Sequence, residues 1–459
     1  MSLLDAFHGL AIRGAFALWY GWKPYGRHAA FLEKSQWWPW PEIEALQMRR
    51  LRALLEHAYA QVPFYRQRFE AAGLHPSDVQ SPADLAALPV LTKRDIQENL
   101  DHMLTGGIDR HLLRENHSGG STGHPLTFYQ DANYDGWGRA DLLRNYRMAG
   151  YRLGMRWAFL WGSDYDAKTH KGRYGRLKDR VIFNTLWINT FDLTRETLAR
   201  AAEQLVRWQP QLLVAYVSSA TLLARLVCSE GIEGIRPRAI QTSAEVLTPD
   251  DRRLLEEAFG CGVFDRYGCR EVGNIAHECS AHQGLHVLAE NNLVEVLDAA
   301  GRPVAPGQAG RIVVTNLPNL AMPFIRYEIG DMAVPSARAC SCGRGLPLWE
   351  AIAGRTSDVI TSPGGKLLHG EFFTHLFYRL QGVQQFRVTQ ETRADLRVQI
   401  VPGAGFDQPA AFAFLEETIH RHGDPAFQIH FEVCDTIPPA ASGKYRFTTS
   451  KVPLDLGKS

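Results

Sequence analysis

The stretch HSGGSTGHP, residues 117–125, is the segment from which the fold of this chain can be inferred. Its glycines permit backbone dihedrals that a Cβ forbids, and its serine and threonine hydroxyls can donate hydrogen bonds. Such a loop can surround an anion with N–H and O–H groups, as phosphate-binding loops do. Glycine-rich turns also occur without a ligand, so the prediction depends on whether other segments supply the rest of a nucleotide site. The candidate phosphate contacts are Ser118, Gly119, Gly120, Ser121, Thr122 and Gly123.

Length and composition indicate a large globular protein with two or three domains. The chain has 459 residues, of which 45% are hydrophobic, and a formal net charge of +1. This balance argues against a nucleic-acid partner, because it creates no strong positive field. The apolar stretch at 9–22 contains Arg13 and is too short to span a bilayer, so we expect no integral membrane segment. We interpret it as an amphipathic helix docked on the body, with peripheral membrane contact as the alternative.

Cysteine usage indicates a reducing compartment. The seven cysteines are an odd number, and the N-terminal stretch lacks the charge, apolar core and cleavage pattern of a signal peptide. We therefore expect a cytoplasmic protein, a monomer or homodimer, whose clustered cysteines bind a metal rather than form disulfides.

Short apolar runs alternate with helical patterns from about residue 150 to about residue 320, which predicts an α/β fold with a mainly parallel sheet. Predicted strands lie at 157–161, 212–214, 239–242, 262–264 and 311–317. Predicted helices lie at 40–70, 194–208 and 249–259. Pro41 suits the first position of the first of these helices, and Pro63 ends it. Thr92 and Asp95 form the pattern of a capping box that opens another helix.

After Gly354 the pattern changes to that of a compact α+β module with its own core. A turn at 363–365 precedes predicted helices near 372–380 and 410–422 and predicted strands near 386–389, 396–401 and 428–434. We place the boundary at 354–358, which gives a large domain over 1–354 and a small domain over 355–459.

The motif DRYGCRE at 265–271 can supply two further parts of a nucleotide site. Tyr267 beside Gly268 can present a flat face to a purine, and Glu271 can bind a divalent cation that bridges phosphates. Taken alone, the same residues are also typical of a strand and turn with an ordinary surface glutamate.

Three more motifs follow in order. IRYEIGD ends at Asp331, whose carboxylate can accept hydrogen bonds from ribose hydroxyls, although a solvated turn aspartate is the alternative. AGRTSDVI contains Arg355, which can pair with phosphate or ribose or lie free on the surface. PPAASGKYR contains Lys444, a lysine that can stabilise charge developing on an α-phosphate but that alone is typical of an exposed tail.

In order and spacing, these five segments together resemble the adenylate-forming superfamily of acyl-CoA synthetases, peptide-synthetase adenylation domains and luciferases, over residues 115–446. Within it, the chain most resembles the phenylacetate–CoA ligase branch and its CapK-like members. LLEHAYAQVPFYRQRFEAAGL at 54–74, DLAALPVLTKRDI at 84–96 and TSAEVLTPDDRR at 242–253 carry this closer resemblance.

The resemblance implies an AMP-forming ligase. It implies ATP-dependent activation of a small-molecule carboxylic acid as an acyl-adenylate, then transfer of the acyl group to a thiol, usually that of coenzyme A. Glu271 would bind Mg²⁺, and the catalytic Lys444 would serve the first step before the small, mobile C-terminal domain rotates away. Besides the loop residues, the resemblance assigns to the nucleotide site Glu245, Asp265, Tyr267, Gly268, Asp331 and Arg355.

Departures from the superfamily pattern leave the acyl acceptor open. Arg270 stands where many relatives have threonine or serine, and Ser357 occupies the hinge position where many have an acidic residue or lysine. The alternative is transfer to an amine, a hydroxyl or a carrier protein in surface-polysaccharide or natural-product biosynthesis. Trp161, Tyr165 and Tyr216 are candidates for the acyl pocket, although such aromatic residues are also typical of a core.

A cysteine-rich pattern predicts a structural zinc site within residues 279–342. Three thiolates and one imidazole make a closed tetrahedral set. His277 and His282 are rival ligands, and some phenylacetate–CoA ligase-like proteins resemble this pattern. The predicted ligands are Cys279, His286, Cys340 and Cys342.

Overall fold

The computed structural model describes residues 24–118, 126–161, 183–190, 195–355, 360–365, 367–368, 372–373, 376–377, 379–438 and 447–452. The predicted helix at 9–22, loop residues 119–125, Tyr165, Ser357 and Lys444 lie outside them. The described helices are α1 (Pro24–Ser35), α2 (Trp40–Gln61), α3 (Pro63–Ala71), α4 (Lys93–Asn99), α5 (Ala132–Met148), α6 (Arg195–Trp208), α7 (Val217–Glu230), α8 (Pro249–Phe259) and α9 (Gln408–Thr418). The described strands are β1 (Arg114–His117), β2 (Thr127–Gln130), β3 (Trp157–Trp161), β4 (Thr185–Asn189), β5 (Leu212–Tyr216), β6 (Ala239–Ser243), β7 (Gly262–Cys269), β8 (Gly273–Glu278), β9 (Leu285–Val287), β10 (Asn292–Leu297), β11 (Gly310–Asn316), β12 (Phe324–Pro335), β13 (Leu348–Arg355), β14 (Ile360–Thr361), β15 (Leu367–Leu368), β16 (Val383–Gln390), β17 (Asp395–Pro402), β18 (Gln428–Val433) and β19 (Thr448–Ser450).

A long mixed sheet has the strand order β10-β11-β12-β13-β9-β8-β7-β6-β5-β3-β4. Its β7-β6-β5-β3-β4 portion is parallel, and α6, α7 and α8 provide the crossovers from β4 to β5, β5 to β6 and β6 to β7. This portion confirms the predicted α/β fold, because parallel neighbours need such helical connections. β8, β9 and β13 extend the sheet in antiparallel pairs, which the prediction of a mainly parallel sheet did not include.

Both faces of the parallel portion are covered by helices. One face, here called the α8 face, packs against α6, α7 and α8 through side chains such as Leu160, Ala215 and Ile240. The other, here called the α5 face, packs against α1 and α5 through Phe159 and Val214. Because successive strand residues point to opposite faces, neighbours in sequence lie in different chemical environments.

Helix α8 shows how local sequence sets an element's ends. The Oγ1 atom of Thr248 accepts a hydrogen bond from the N–H of Asp251 at 3.0 Å, which caps the start of the helix. Gly260 ends the helix in the left-handed region with φ of 64°. The predicted helix at 249–259 is confirmed at both ends, and so is the capping box at Thr92.

The predicted helix over 40–70 is two helices. α2 ends at Gln61, Val62 is extended with φ of −115°, and Pro63 opens α3. Proline fixes its own φ near the helical value and disfavours helix in the residue before it, so it ends one helix and starts the next.

The chain divides into two compact units. Unit 1 comprises Met1–Glu295, Val313–Ile329 and Pro335–Ala351, and unit 2 comprises Val296–Ile312, Gly330–Val334 and Ile352–Ser459. In unit 2 a four-stranded sheet runs β18-β17-β16-β19, with α9 beside it and a core that includes Phe373, Phe386 and Leu415. The C-terminal strands and α9 correspond to predicted elements, and 372–373 and 376–377 are helical.

We find no membrane-spanning candidate among the described helices, since none is both long enough and apolar enough.

Candidate functional site

Ser118 closes the base of the glycine-rich loop. β1 and β2 form an antiparallel hairpin with His117 opposite Thr127. The N–H of Ser118 donates to the carbonyl of Leu126 at 2.9 Å, and the N–H of Leu126 donates to Oγ of Ser118 at 2.9 Å. These two hydrogen bonds join the ends of the loop, whose residues 119–125 lie outside the described part of the chain.

A β-bulge determines where Tyr267 lies. The pairing of β7 with β8 shifts register between Tyr267 and Gly268, as in a bulge. A Cβ at Gly268 would overlap the carbonyl oxygen of Gly273, so only glycine fits here. The Tyr267 ring is partly exposed, with its centroid 5.9 Å from that of Trp349.

Glu271 lies in the turn after β7 and is buried. The Tyr327 hydroxyl donates to Oε1 of Glu271 at 3.4 Å. Nε2 of Gln130 donates to the carbonyls of Arg270 and Glu271 at 3.0 and 3.4 Å. Because Gln130 ends β2, these hydrogen bonds connect the hairpin of the glycine-rich loop to the turn that carries the Glu271 carboxylate.

Asp265 points to the α8 face, where it lies opposite Glu278 on the neighbouring strand. Thr242 donates to Oδ1 of Asp265 at 3.2 Å, and the backbone N–H of Asp265 donates to Oε2 of Glu278 at 2.9 Å. Arg252 of α8 forms an ion pair with Glu278 at 2.8 Å. Burial, and then the Glu278 charge, raise the pKa of Asp265 to about 7.

Glu245 caps a helix. Its carboxylate accepts hydrogen bonds from the backbone N–H of Ser218 at 2.6 Å and from the Ser218 hydroxyl at 2.9 Å, in the first turn of α7. The preceding residue, Ala244, has φ of 74°, a conformation that costs free energy for a residue with a Cβ and is typical of functional turns. The structure therefore gives the Glu245 carboxylate a helix-capping role beside the carboxyl end of β6.

Two predicted nucleotide residues belong to unit 2. Asp331 is buried on β12, directly after Gly330, which has φ of 90°. Arg355 is the last residue of β13, where the structure describes its backbone alone.

A compact cluster brings the four predicted zinc ligands together in unit 1. The candidate ligand atoms of Cys279, His286, Cys340 and Cys342 all lie within 4.8 Å of one another. The Sγ atoms of Cys279 and Cys340 are 3.6 Å apart, and Nε2 of His286 lies 3.3 Å from Sγ of Cys279 and 3.4 Å from Sγ of Cys342. Bonds of about 2.0–2.3 Å to a tetrahedral zinc ion imply ligand separations of this size.

The rival histidines have other partners. His277 is fully buried, and its ring nitrogens contact the carbonyl of Glu278 and, at 3.1 Å, Oε1 of Gln241. Burial lowers the pKa of His277 to about 3, so the ring is neutral. His282 lies 3.3 Å from Glu278. Among the described residues, the candidate metal cluster includes His286 and neither rival.

Arg266 lies among the predicted site residues, although the sequence motifs did not assign it a role. It precedes Tyr267 on β7 and points to the α5 face, where its guanidinium contacts Ser243 at 2.8 Å and Asn274 at 3.2 Å. The alternation of side chains along a strand could have indicated from sequence that Arg266 projects to the opposite face from Asp265.

The chain is similar to known proteins along most of its length. Residues 360–451 match the CapK C-terminal domain family. A phenylacetate–coenzyme A ligase of Thermus thermophilus is 28% identical over 332 residues, which cover 71% of this chain and 73% of that protein. Protein CapK of Staphylococcus aureus is 24% identical over 416 residues, 90% of each chain. The crystal structure of 2-hydroxyisobutyryl-CoA ligase in the postadenylation state superposes with a TM-score of 0.72 at 21% identity, over 90% of each chain.

The fold and these similarities define an adenylate-forming, AMP-forming ligase. Within that class the chain is similar to phenylacetate–CoA ligases and to CapK, as its sequence motifs predicted.

Proposed function

We propose that this protein uses ATP to activate a carboxylic acid as an acyl-adenylate and then transfers the acyl group to the thiol of coenzyme A. The observation that carries the proposal is the pair of hydrogen bonds, 3.0 and 3.4 Å long, from Gln130 to the carbonyls of Arg270 and Glu271. They join the hairpin of a loop suited to phosphates to a turn with a buried carboxylate suited to a divalent cation. Nucleoside triphosphates are bound with both elements together.

In the first half-reaction, an oxygen of the acid attacks the α-phosphorus of ATP, and the bond from that phosphorus to pyrophosphate breaks. Negative charge grows on the transferred and leaving phosphates, so donors that are already in position lower the barrier. We assign Lys444 and the loop residues 119–123 to this task. Tyr267 would stack on adenine, Asp331 would hold the ribose and Arg355 would bind the nucleotide.

We assign Mg²⁺ binding to Glu271. Its buried carboxylate, with one oxygen 3.4 Å from the Tyr327 hydroxyl, is an oxygen donor of the kind that Mg²⁺ prefers. The ion would neutralise phosphate charge when bound.

In the second half-reaction, the sulfur of coenzyme A attacks the acyl carbonyl, the bond from carbonyl carbon to AMP oxygen breaks, and the thiol proton passes to solvent. Lys444 serves only the first half-reaction in this scheme. We therefore propose that the small domain, 355–459, rotates between the two steps and withdraws Lys444.

We propose that Cys279, His286, Cys340 and Cys342 hold a structural zinc ion. Three soft sulfur ligands and one imidazole nitrogen form a donor set that suits Zn²⁺. The ion would fix the turn after β8 and β9 to the 340–342 turn. The seven cysteines are thiols in the structure, which supports our proposal of a cytoplasmic location.

Exchange of labelled pyrophosphate into ATP, measured with a panel of carboxylic acids, tests the proposal. At least one acid should support exchange, and coenzyme A should then convert that acid to a thioester with release of AMP. Lys444→Ala should lower exchange by about 10²-fold or more, because a charge-stabilising donor is removed. Thioester formation from a supplied acyl-adenylate should be much less affected.

Lys451→Ala is the matched control, because Lys451 is an exposed lysine near the same end of the chain that pairs with Glu391. This variant should catalyse pyrophosphate exchange at the same rate as the unmodified protein. Absence of exchange with every acid would refute adenylation, and equal losses in both half-reactions would refute the role of Lys444.

A further inference from the structure

A row of side chains crosses the parallel sheet at the carboxyl ends of its strands, on the α5 face. Tyr216 of β5 pairs in register with Ser243 of β6, and Ser243 pairs with Arg266 of β7. Trp161, at the end of β3, continues the row, since its ring centroid lies 4.3 Å from that of Tyr216. Ligands of open α/β sheets bind outside the carboxyl ends of the strands, so this row is placed to contact one.

Arg266 is the charged member of this row. Its Nε and Nη2 atoms donate to the Ser243 hydroxyl at 3.1 and 2.8 Å, and Nη1 donates to Oδ1 of Asn274 at 3.2 Å. These hydrogen bonds use three of the five N–H groups of a guanidinium and fix its plane. All three go to neutral groups, so they orient the charge without compensating it.

Arg144 and Arg326 show how this protein pairs a buried guanidinium. Arg144 forms ion pairs with Glu290 at 2.7 Å and Asp141 at 2.9 Å, and Arg326 pairs with Glu295 at 2.9 Å. Arg266 has no such carboxylate partner in the described part of the chain. Burial lowers the pKa of Arg266, and the charge of the neighbouring Asp265 offsets this effect only in part.

The surroundings of Arg266 are aromatic. Its guanidinium carbon lies 6.0 Å from the centroid of the Trp161 ring, and Trp161 stands against Tyr216. Ser243 is buried at the base of the row. A ligand here would meet a wall of two aromatic rings and, beside it, a fixed cation with two N–H groups left for an acceptor.

From this geometry we propose that Arg266 selects acids that carry a second carboxylate, so that the substrate is a dicarboxylic acid with a flat or aromatic body. This inference rests on the proposed function, because the acid being activated is the ligand in question. One carboxylate reacts with ATP, and the other pairs with the guanidinium, whose planar donors match a carboxylate in two-point contact. The wall formed by Trp161 and Tyr216 contacts the part of the acid that joins its two carboxylates.

Paired substrates test this selection. Pyrophosphate exchange is measured with phenylacetate against 4-carboxyphenylacetate, and with hexanoate against adipate, which differ within each pair by the second carboxylate. The diacid should have the higher kcat/KM by about 10²-fold or more, because a site that pairs with a polar group discriminates strongly against analogues lacking it. Arg266→Met should remove this preference by lowering the diacid value while leaving the monoacid value the same or higher, and Arg266→Lys should retain part of it.

Arg207→Met is the control, because Arg207 is an exposed arginine of α6 with 81% side-chain exposure. It should keep the preference. Equal use of both acids, or a preference for the monoacid, would overturn the inference while leaving adenylation intact. An equal loss for both acids in Arg266→Met would also overturn it, because the guanidinium would then bind the reacting carboxylate.

Thermal stabilisation separates this inference from the proposed function. The diacid should raise the Tm of the unmodified protein and not that of Arg266→Met, whether or not exchange occurs. A diacid shift without exchange would refute adenylation and support the role of Arg266. A shift that is the same in both proteins would overturn the inference by itself.

Discussion

Asp265 and Arg266 are neighbours on one strand, yet their side chains lie in opposite electrostatic environments. On the α8 face, Asp265 meets Thr242 and a second carboxylate, Glu278, which is itself paired with Arg252. On the α5 face, Arg266 meets neutral hydrogen-bond acceptors and aromatic rings. Asp265 therefore has a second carboxylate beside it, whereas Arg266 has no carboxylate at ion-pair distance among the described residues.

The difference shows how one strand end can serve two ligands. Because side chains alternate along a strand, the residues assigned to adenine and the residue proposed to contact the acid project to different faces only one residue apart. The nucleotide side is also connected to the candidate metal cluster along the chain. Glu278, which faces Asp265, is directly followed by Cys279, a member of the cluster. The acid side is connected to the same cluster by strand pairing, since Arg266 lies opposite His277 and His277 lies opposite His286, so we expect perturbations of the cluster to affect stability and both sides of the strand.

Breaking the metal cluster should have the largest effect. Cys340→Ser and Cys279→Ser should reduce bound zinc from about one per chain to none and destabilise the protein by more than about 4 kcal/mol, as loss of a metal site does. Elemental analysis of protein prepared without chelator, with thermal unfolding, measures both quantities. Cys228→Ser is the matched control, because Cys228 is an exposed thiol on α7. Zinc-free unmodified protein, or full zinc in both cluster variants, would contradict the site.

How much of this arrangement the sequence predicts depends on the range of the interactions involved. The ends of α8 are encoded locally by Thr248 and Gly260, so they were predicted from the sequence. The four candidate zinc ligands were predicted as a chemical set, but their proximity, without His277 or His282, depends on pairing between β8 and β9. The role of Arg266 depends on three strands in register, Tyr216 beside Ser243 beside Arg266, which no local pattern encodes.

Two features of the structure were not part of the prediction, for a similar reason. The antiparallel extension by β8, β9 and β13 depends on long-range pairing rather than on the alternation of strands with helices. The function of the Glu245 carboxylate as a cap of α7 requires Ser218, which lies 27 residues earlier in the chain. Such contacts between distant segments are visible only in the folded structure.

Removing the bulge at Gly268 should have an intermediate effect that is confined to the nucleotide side. In Gly268→Ala, the new Cβ would press on backbone atoms of Gly273 and Asn274, which should cost about 1–3 kcal/mol of stability. Because the bulge positions Tyr267, KM for ATP should rise more than KM for the acid. Gly138→Ala is the matched control, since a Cβ on that helical glycine meets no atom within 4 Å and should be neutral or stabilising. A larger rise in KM for the acid than for ATP would contradict the separation of the two faces.

The smallest expected effect is a change in the pH dependence of stability in Asp265→Asn. The pKa of Asp265 is raised to about 7 in the folded protein, whereas an unfolded aspartate titrates near 4. Between these values the folded state keeps a proton that the unfolded state has released, so this group lowers the free energy of unfolding as the pH rises from about 4 to about 7. Asparagine cannot ionise, so the variant should lose less stability than the unmodified protein between pH 5 and pH 8. The difference should be about 1 kcal/mol, a value that allows for solvent screening at a partly exposed carboxyl.

Thermal unfolding at both pH values measures the difference, with Asp407→Asn as the control because Asp407 caps α9 in unit 2. Identical pH dependence in Asp265→Asn and the unmodified protein would mean that Asp265 is ionised in the folded state, and the two faces of β7 would then differ in charge even more than the structure indicates.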